Sequence, residues 1–517
     1  MSWQSDVDEI NRQNEMAEAM GGQESIDFHK SRGKLTVRER FDLLSDPGSF
    51  AEIGKLAGAA TWDGNEINKL TPSNSVAGII KVNNRKVAVH GGDFTIRGGS
   101  ADGGVADKAG ATIKRAYIER MPYVRLLDAT GGSVKSFEKM GRTYLPAMDR
   151  VQEVELMQRS PCVSAVLGSV AGLPAVQACF CHFNVMVKST SQVFVAGPPV
   201  VKAALGVEIP KEALGNEDIQ VKQSGVIANL AESEEDAINQ IRQFLSYMPQ
   251  NVWEMPPRIE SDDDPLRREE SLIDFIPRDS RKVYDARKLL NLVLDENSFF
   301  EIQPLYGRSR ITGLARVDGY PVGVMINNPR SKGGSMDKEA GEKVIRLVQI
   351  CDTFHLPLIY LADEPGFMVG LEEERKGIIR AGARASSILS LSQTPYMTFI
   401  IRQVYGVAGG MHYRGGNNLY RRYAWPSGNW GSMHIEGGVF AAYRREIENA
   451  DDPEAKRAEI EARLNALKSP FRTAHAFAVE EIIDPRDTRR LLVEFVHDAQ
   501  PILSTQLGQT SRVPFLP

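Results

Sequence analysis

The chain has 517 residues, of which 42% are hydrophobic and 25% charged, a soluble globular balance long enough for two cores. Its net charge of −5 gives no basis for nucleic acid or an anionic membrane as the main partner. No apolar run approaches the roughly 18–20 residues that a membrane helix needs, and the polar stretch 1–14 reads as neither a secretory signal nor a transit peptide.

Residues 1–30 read as a helical arm, with Ile10, Met16 and Met20 among polar residues. Lys34 to Leu44 forms a compact amphipathic helix, with Thr36 as N-cap and Glu39 three residues on, the capping-box pattern. Asp46 to Ile53 is a turn into a strand. Val76 to Val89 alternates and turns at Asn83-Asn84, a hairpin signal. The apolar run from Tyr123 ends at Asp128-Ala129-Thr130-Gly131-Gly132-Ser133.

The second half repeats this plan. Arg287 to Leu294 is a helix, and Asp295 to Ile302 matches Asp46 to Ile53 at a spacing of 249 (295 − 46 = 249). Gly78 matches Gly313, Gly98-Gly99-Ser100 matches Gly333-Gly334-Ser335, and Asp128 matches Asp363, each at 235 (363 − 128 = 235). Pro161 and Gly172 match Pro395 and Gly406 at 234 (406 − 172 = 234). These punctuation residues indicate an internal duplication of one α/β domain. Met255 to Pro265, polar, acidic and Pro-rich, reads as a linker. The expected division is a domain over 1–255, a linker over 256–275 and a second domain over 276–517. Leu358 to Leu361 reads as a buried strand broken by Asp363-Glu364-Pro365-Gly366-Phe367. Gly370 reads as the start of a second loop, and Gly377 to Ala383 as a helix. Asp452 to Leu467 is a charged amphipathic helix.

The four cysteines (Cys162, Cys179, Cys181, Cys351) include no Cys-x-x-Cys pair and read as small buried residues of a reducing cytoplasm. No metal site is expected. Gly-x-Ser-x-Gly, Walker and His-Glu-x-x-His motifs are missing from the sequence. His182, His412 and His434 lie near glycine breaks and read as satisfied structural histidines. Each half instead carries two glycine breaks after apolar strands, around Gly131-Gly132 and Gly172-Leu173, then around Gly366-Phe367 and Gly406-Val407-Ala408. A strand–glycine–helix transition aims free backbone N–H groups outward, and paired N–H groups hold an enolate or oxyanion. Arg97, beside Gly98 and Gly99, is a candidate for an anionic ligand.

The chain resembles the carboxyltransferase β subunits of biotin-dependent acyl-CoA carboxylases, the propionyl-CoA carboxylase-like group. The resemblance rests on Lys34-Leu-Thr-x-Arg38-Glu39-Arg40, Asp93-Phe94-Thr95-x-x-Gly98-Gly99-Ser100, Gly131-Gly132, Ala171-Gly172 and Val195-Ala-Gly197-Pro198-Pro199. In the second half it rests on Pro365-Gly366-Phe367, Gly377-Ile-Ile-Arg380-x-Gly382-Ala383, Arg402-x-x-Tyr405-Gly406 and Ala424-Trp425-Pro426. It implies two tandem crotonase-like domains, the first binding acyl-CoA and the second biotin. It also implies a mechanism. Carboxybiotin releases CO2, and its enolate is held by the N–H groups of Val407 and Ala408. Biotin N1 takes the α-proton of the acyl-CoA, whose enolate is held by Gly131, Gly132, Gly172 and Leu173 and attacks CO2.

The resemblance further implies that Gly406, Gly366 and Phe367 bound the biotin side. Arg97, Gly98, Gly99 and Ser133 bound the acyl-CoA side. Gly410, two places after the hole alanine, lines the acyl pocket. Leu173, Pro174 and Val407 depart from the usual glycine pattern; Leu173 and Val407 keep an N–H and Pro174 does not. The sequence shows no Ala-Met-Lys-Met biotinylation site and no ATP loop, so separate biotin carboxylase and biotin carrier partners are expected, with a homo-hexamer as the assembly. The alternatives are the carboxyltransferase of a biotin-dependent decarboxylase, with a membrane sodium pump as partner, or of a transcarboxylase. A non-catalytic assembly scaffold is a third.

Overall fold

The computed structural model describes residues 2–105, 108–145, 150–279, 281–413 and 418–517. The chain divides into two compact units, Met1–Glu254 with Phe515–Pro517, and Met255–Pro514.

Each unit is built on one mixed sheet whose strands lie side by side in chain order. In the first, these are β1 (Ala51–Glu52), β2 (Ser75–Val82), β3 (Arg85–Gly92), β4 (Tyr123–Leu127), β5 (Cys162–Val166), β6 (Phe183–Val187) and β7 (Asn229–Ala231). In the second they are β8 (Phe300–Ile302), β9 (Arg310–Val317), β10 (Tyr320–Asn327), β11 (Leu358–Glu364), β12 (Tyr396–Tyr405), β13 (Tyr420–Ala424) and β14 (Glu481–Ile482). Both sheets begin with two antiparallel pairings and continue with four parallel ones. The antiparallel pairs β2–β3 and β9–β10 are joined by tight turns at Asn83-Asn84 and Asp318-Gly319. The parallel ones need crossovers, supplied by helices such as Lys108–Glu119 and Lys338–Phe354.

The duplication extends to the register. Glu52 faces Gly78, and Glu301 faces Gly313. The first pair of positions is offset by 249 and the second by 235. The difference of 14 is taken up by a hairpin present only in the first unit, Gly58–Asp63 paired with Glu66–Pro72. The short strands Ser169–Ala171 and Gln192–Phe194 pair in the first unit. Their counterparts in the second are the end of β12 and Asn429–Gly431.

Local signals explain several helix ends. Thr36 and Glu39 form a complete capping box at Val37–Leu44, and the Asp337 carboxylate accepts from the Ala340 N–H at the start of Lys338–Phe354. Three expectations change. β11 runs through Asp363 and Glu364 rather than breaking before them, because Arg402 and Arg310 neutralise these buried carboxylates. Gly370 opens a short helix, Leu371–Lys376, and Gly377 separates it from Ile378–Leu391. The stretch 256–275 belongs to the second unit: Asp263 pairs with Arg267 at 2.8 Å and Arg489 at 3.2 Å, which ties this acidic segment down.

A fully buried carboxylate sits at the C-terminal end of the fourth strand of each sheet. Asp128 accepts from Lys34 Nζ at 3.0 and 3.1 Å and from Arg40 at 3.3 Å. Arg40 in turn grips Glu234 through two 2.7 Å bonds. Burial pulls the Lys34 ammonium below its ordinary value, and the Asp128 charge opposes that shift. Asp363 accepts from Arg402 at 2.9–3.1 Å and from the Tyr284 hydroxyl at 2.9 Å. The first ion pair leaves no room beside it: a methyl on Gly168 would lie 2.0 Å from Asp128 Oδ1 and 2.3 Å from Lys34 Nζ. Breaking a buried pair costs about 3–5 kcal/mol. Gly168→Ala is therefore expected to lose about that much stability in denaturant titration, and Gly110→Ala, with open space around the new methyl, close to none.

Candidate functional site

In the first unit, two glycine turns leave the sheet next to each other. After β4 the chain passes through Ala129 and Thr130 to Gly131. The Ala171 N–H donates to the Ala129 carbonyl at 3.2 Å, which ties the Gly172 turn to this loop. The Arg97–Ser100 turn closes from the other side: Thr130 N–H and Oγ1 donate to the Gly98 carbonyl at 3.3 and 3.0 Å. The Ala101 N–H donates to the Gly131 carbonyl at 2.8 Å. Gly172, at φ 66° and ψ −129°, turns the strand into the helix Leu173–Gln177, a backbone shape open to glycine and strained for other residues. Its own N–H is spent on the carbonyls of Val195 (3.1 Å) and Phe194 (3.4 Å). That differs from the expectation of a free donor at Gly172. Among the described residues, the N–H groups of Gly132 and Leu173 have no acceptor. Pro174 sits in the first helical turn, where no N–H is needed.

Asp102 joins two of the expected ligand residues. Its carboxyl is held below the usual range by the Ser100 hydroxyl, with Ser133 and Arg97 adding to the effect. Arg97 pairs with it at 2.8 Å and stays more than half exposed. Lys332 and Asp337 repeat this pair at 2.6 Å in the second unit, each at the spacing of 235.

The second unit has the same pair of turns. The Met336 N–H donates to the Gly366 carbonyl at 2.9 Å, the counterpart of the Ala101–Gly131 bond. The Gly366 N–H is taken by Glu364 Oε1 at 3.3 Å. Burial raises the Glu364 carboxyl, and Arg310 works against that. Phe367 turns its ring tip onto the helix Ile378–Leu391 at Gly382. Beside this turn, β12 ends at Tyr405 and passes into Gly406–Gly410. Val407 is exposed and Ala408 fully buried, and their N–H groups have no acceptor among the described residues. The side-chain direction at Gly410 opens into free space.

The sequence left the supports of these turns unassigned. Tyr405 is buried and donates from its hydroxyl to Asn429 Oδ1 at 2.9 Å; burial pushes its phenol up to about 12, so it stays a donor. His182 and His412 are structural: His182 accepts from the Cys162 N–H and donates to the Met157 carbonyl, both at 2.9 Å. Burial holds His412 neutral beside the Tyr396 hydroxyl. Among the described residues no group of three or more His, Cys, Asp or Glu could hold a metal ion, and no helix is long and apolar enough to cross a membrane.

The carboxyl transferase domain family matches the chain across residues 28–500. The chain belongs to this family. Among other carboxyl transferase proteins, it is 35% identical to the propionyl-CoA carboxylase carboxyltransferase subunit of Haloferax mediterranei, over 95% of this chain and 96% of that one. It is 31% identical to the methylmalonyl-CoA carboxyltransferase 12S subunit of Propionibacterium freudenreichii subsp. shermanii, over 94% and 92%. The structure of a transcarboxylase 12S hexamer with methylmalonyl-coenzyme A and methylmalonic acid bound matches with a TM-score of 0.86 at 30% identity, over 96% and 95% of the two chains. The fold of this carboxyltransferase is the tandem crotonase-like one that the resemblance implied.

The contact between Phe367 and Gly382 gives a test of the second turn. A methyl at Gly382 would lie 2.5 Å from Phe367 Cζ. Overpacking of this kind costs about 1–3 kcal/mol. Gly382→Ala is expected to lose stability in that range, and Phe367→Leu introduced with it to recover part of the loss, read as positive coupling in a double-mutant cycle.

Proposed function

We propose that this carboxyltransferase moves a carboxyl group from carboxybiotin, carried on a separate protein, to the α-carbon of an acyl-CoA of propionyl size or larger. The supporting observation is the unspent backbone N–H pair in each half, Gly132 with Leu173 and Val407 with Ala408. Gly131 and Gly172 shape the first pair's turns; Gly366, Phe367 and Gly406 frame the second. The biotin group fits the second half in one testable respect: two N–H groups, on exposed Val407 and buried Ala408, have no acceptor among the described residues. When bound, carboxybiotin supplies the carboxyl group and, after giving it up, a basic nitrogen.

The chain's own contribution is electrostatic. Gly132 and Leu173 hold the thioester oxygen while negative charge builds on it, and Val407 and Ala408 hold the ureido oxygen. Each such donor is worth about 2.7–4 kcal/mol in comparable sites. Arg97 meets an anionic part of the CoA, with Gly98, Gly99 and Ser133 beside it. The partners are a biotin carboxylase and a biotin carrier, and the assembly is a hexamer, as in the transcarboxylase 12S structure. Transfer between two acyl groups, suggested by the 12S relative, uses the same residues and differs in the carboxyl donor.

Transfer of the carboxyl group from methylmalonyl-CoA to free biotin tests this without the partners. Val407 lies in the first helical turn with an exposed side chain, so Val407→Pro deletes a donor where the helix does not use it. The expected loss in kcat is about 10²–10³-fold, with Val407→Ala near wild type. Equal activity of the two variants, or an inactive wild type, removes the reading.

Chain-length preference tests the pocket. Each buried methylene adds roughly 0.8 kcal/mol where space exists, and Gly410 leaves its side-chain direction open. Wild type is expected to prefer propionyl- or butyryl- over acetyl-CoA in kcat/KM. Gly410→Ile, which meets no neighbouring atom within 4 Å at its Cβ, should shift the ranking towards short chains.

A further inference from the structure

The two turns of the second unit are joined by one side chain that the sequence reading set aside. His434 directly precedes the helix Ile435–Ala442 and is half-buried. Its Nε2 lies 2.9 Å from the Pro365 carbonyl. A carbonyl only accepts, so this nitrogen carries the hydrogen and donates. The ring also stacks on Tyr405, with centroids 4.1 Å apart and planes 29° apart. Pro365 immediately precedes Gly366 and Phe367, and Tyr405 immediately precedes Gly406, Val407 and Ala408. Tyr405 is itself fixed from below by Asn429, whose amide donates to the Arg402 carbonyl at 3.1 Å.

We propose that His434 is a positioning residue that clasps the Gly366 turn to the Gly406 turn, and so fixes the aim of the Val407 and Ala408 N–H groups. The proposal deepens the reading of the second half as the biotin side and rests on it. The clasp has two separable parts, a hydrogen bond to one turn and a ring stack on the other. β11 and β12 pair with each other only up to Glu364 and Val404, with a register shift just before that point; Met336 holds the Gly366 turn from one side and Gly431 pairs with Tyr405 on the other. His434 reaches both turns from a third segment. Donor geometry matters steeply here, because displacing reacting groups by about 1 Å can cost 10²-fold in rate.

The test uses the full chain and three variants. His434→Ala removes both contacts, His434→Gln returns a donor near the Nε2 position, and His434→Phe keeps the stack without the donor. The first readout is amide hydrogen exchange without any ligand. In His434→Ala, peptides covering 365–368 and 406–411 are expected to exchange at least tenfold faster, with the rest of the second unit unchanged. The second is free biotin. His434→Ala is expected to raise the dissociation constant or lower kcat for transfer from methylmalonyl-CoA by about 10–100-fold, with KM for methylmalonyl-CoA within twofold of wild type. His434→Gln and His434→Phe should each recover part of the loss. Unchanged exchange in both segments in His434→Ala overturns the clasp, as does a loss that neither variant restores. Faster exchange with unaltered transfer to biotin keeps the clasp and overturns its role in aiming the donors. A wild type that transfers nothing to biotin, with the exchange result as expected, tells against the biotin reading and leaves the clasp standing.

Discussion

The architecture of each half depends on a charge that water cannot reach. Asp128 and Asp363 end the fourth strand of their sheets with no exposure at all. An isolated carboxylate there would be prohibitive, so each half supplies cations and donors to it. The first half uses Lys34, just before the helix Val37–Leu44, and Arg40 within it; the second uses Arg402 from the next strand and the Tyr284 hydroxyl. The solutions differ, yet the result is the same. The strand end is pinned, and the turn that follows it leaves in a fixed direction. The Gly131 and Gly366 turns each begin three residues beyond that pin (131 − 128 = 3; 366 − 363 = 3).

Those turns offer main-chain donors in place of reactive side chains. In the first half the neighbours of Gly131 and Gly172 tie the two loops together through the Ala129 and Ala171 backbone. In the second, Phe367 packs its ring against Gly382 and Tyr405 stands on Asn429. The result suits a reaction in which charge moves between oxygens and the proton acceptor is brought by the substrate pair.

Much of the fold was legible because duplication leaves its punctuation in place. The 235 spacing predicted the equivalence of Asp128 with Asp363, and the Ala101–Gly131 and Met336–Gly366 bonds repeat at that spacing. Thr36 with Glu39, and Asn83-Asn84, are local signals and were readable as such. What escaped was non-local. The partners of Asp128 lie 94 and 88 residues away, and no periodicity marks them. β11 continued through Asp363 and Glu364 because their countercharges lie on other strands. The Gly172 N–H is consumed by a carbonyl on a neighbouring strand, and His434 acts from a segment far along the chain. A single sequence carries no trace of either contact.

The membership of the first unit has a consequence for the order in which the chain is made. Phe515 is buried in that unit, its ring 4.7 Å from that of His182 and its carbonyl accepting from Gln158 at 2.6 Å. A ribosome delivers Phe515 only after the whole of 255–514. Strands β1 to β7, and Glu234 with its partner Arg40, have by then all been synthesised. Phe515 can reach His182 and Gln158 only after the second unit has been made. The first half is thus the earlier to be synthesised, while its contacts with Phe515 are among the last that can form. That interval is where a nascent chain of this family would present apolar surface to chaperones.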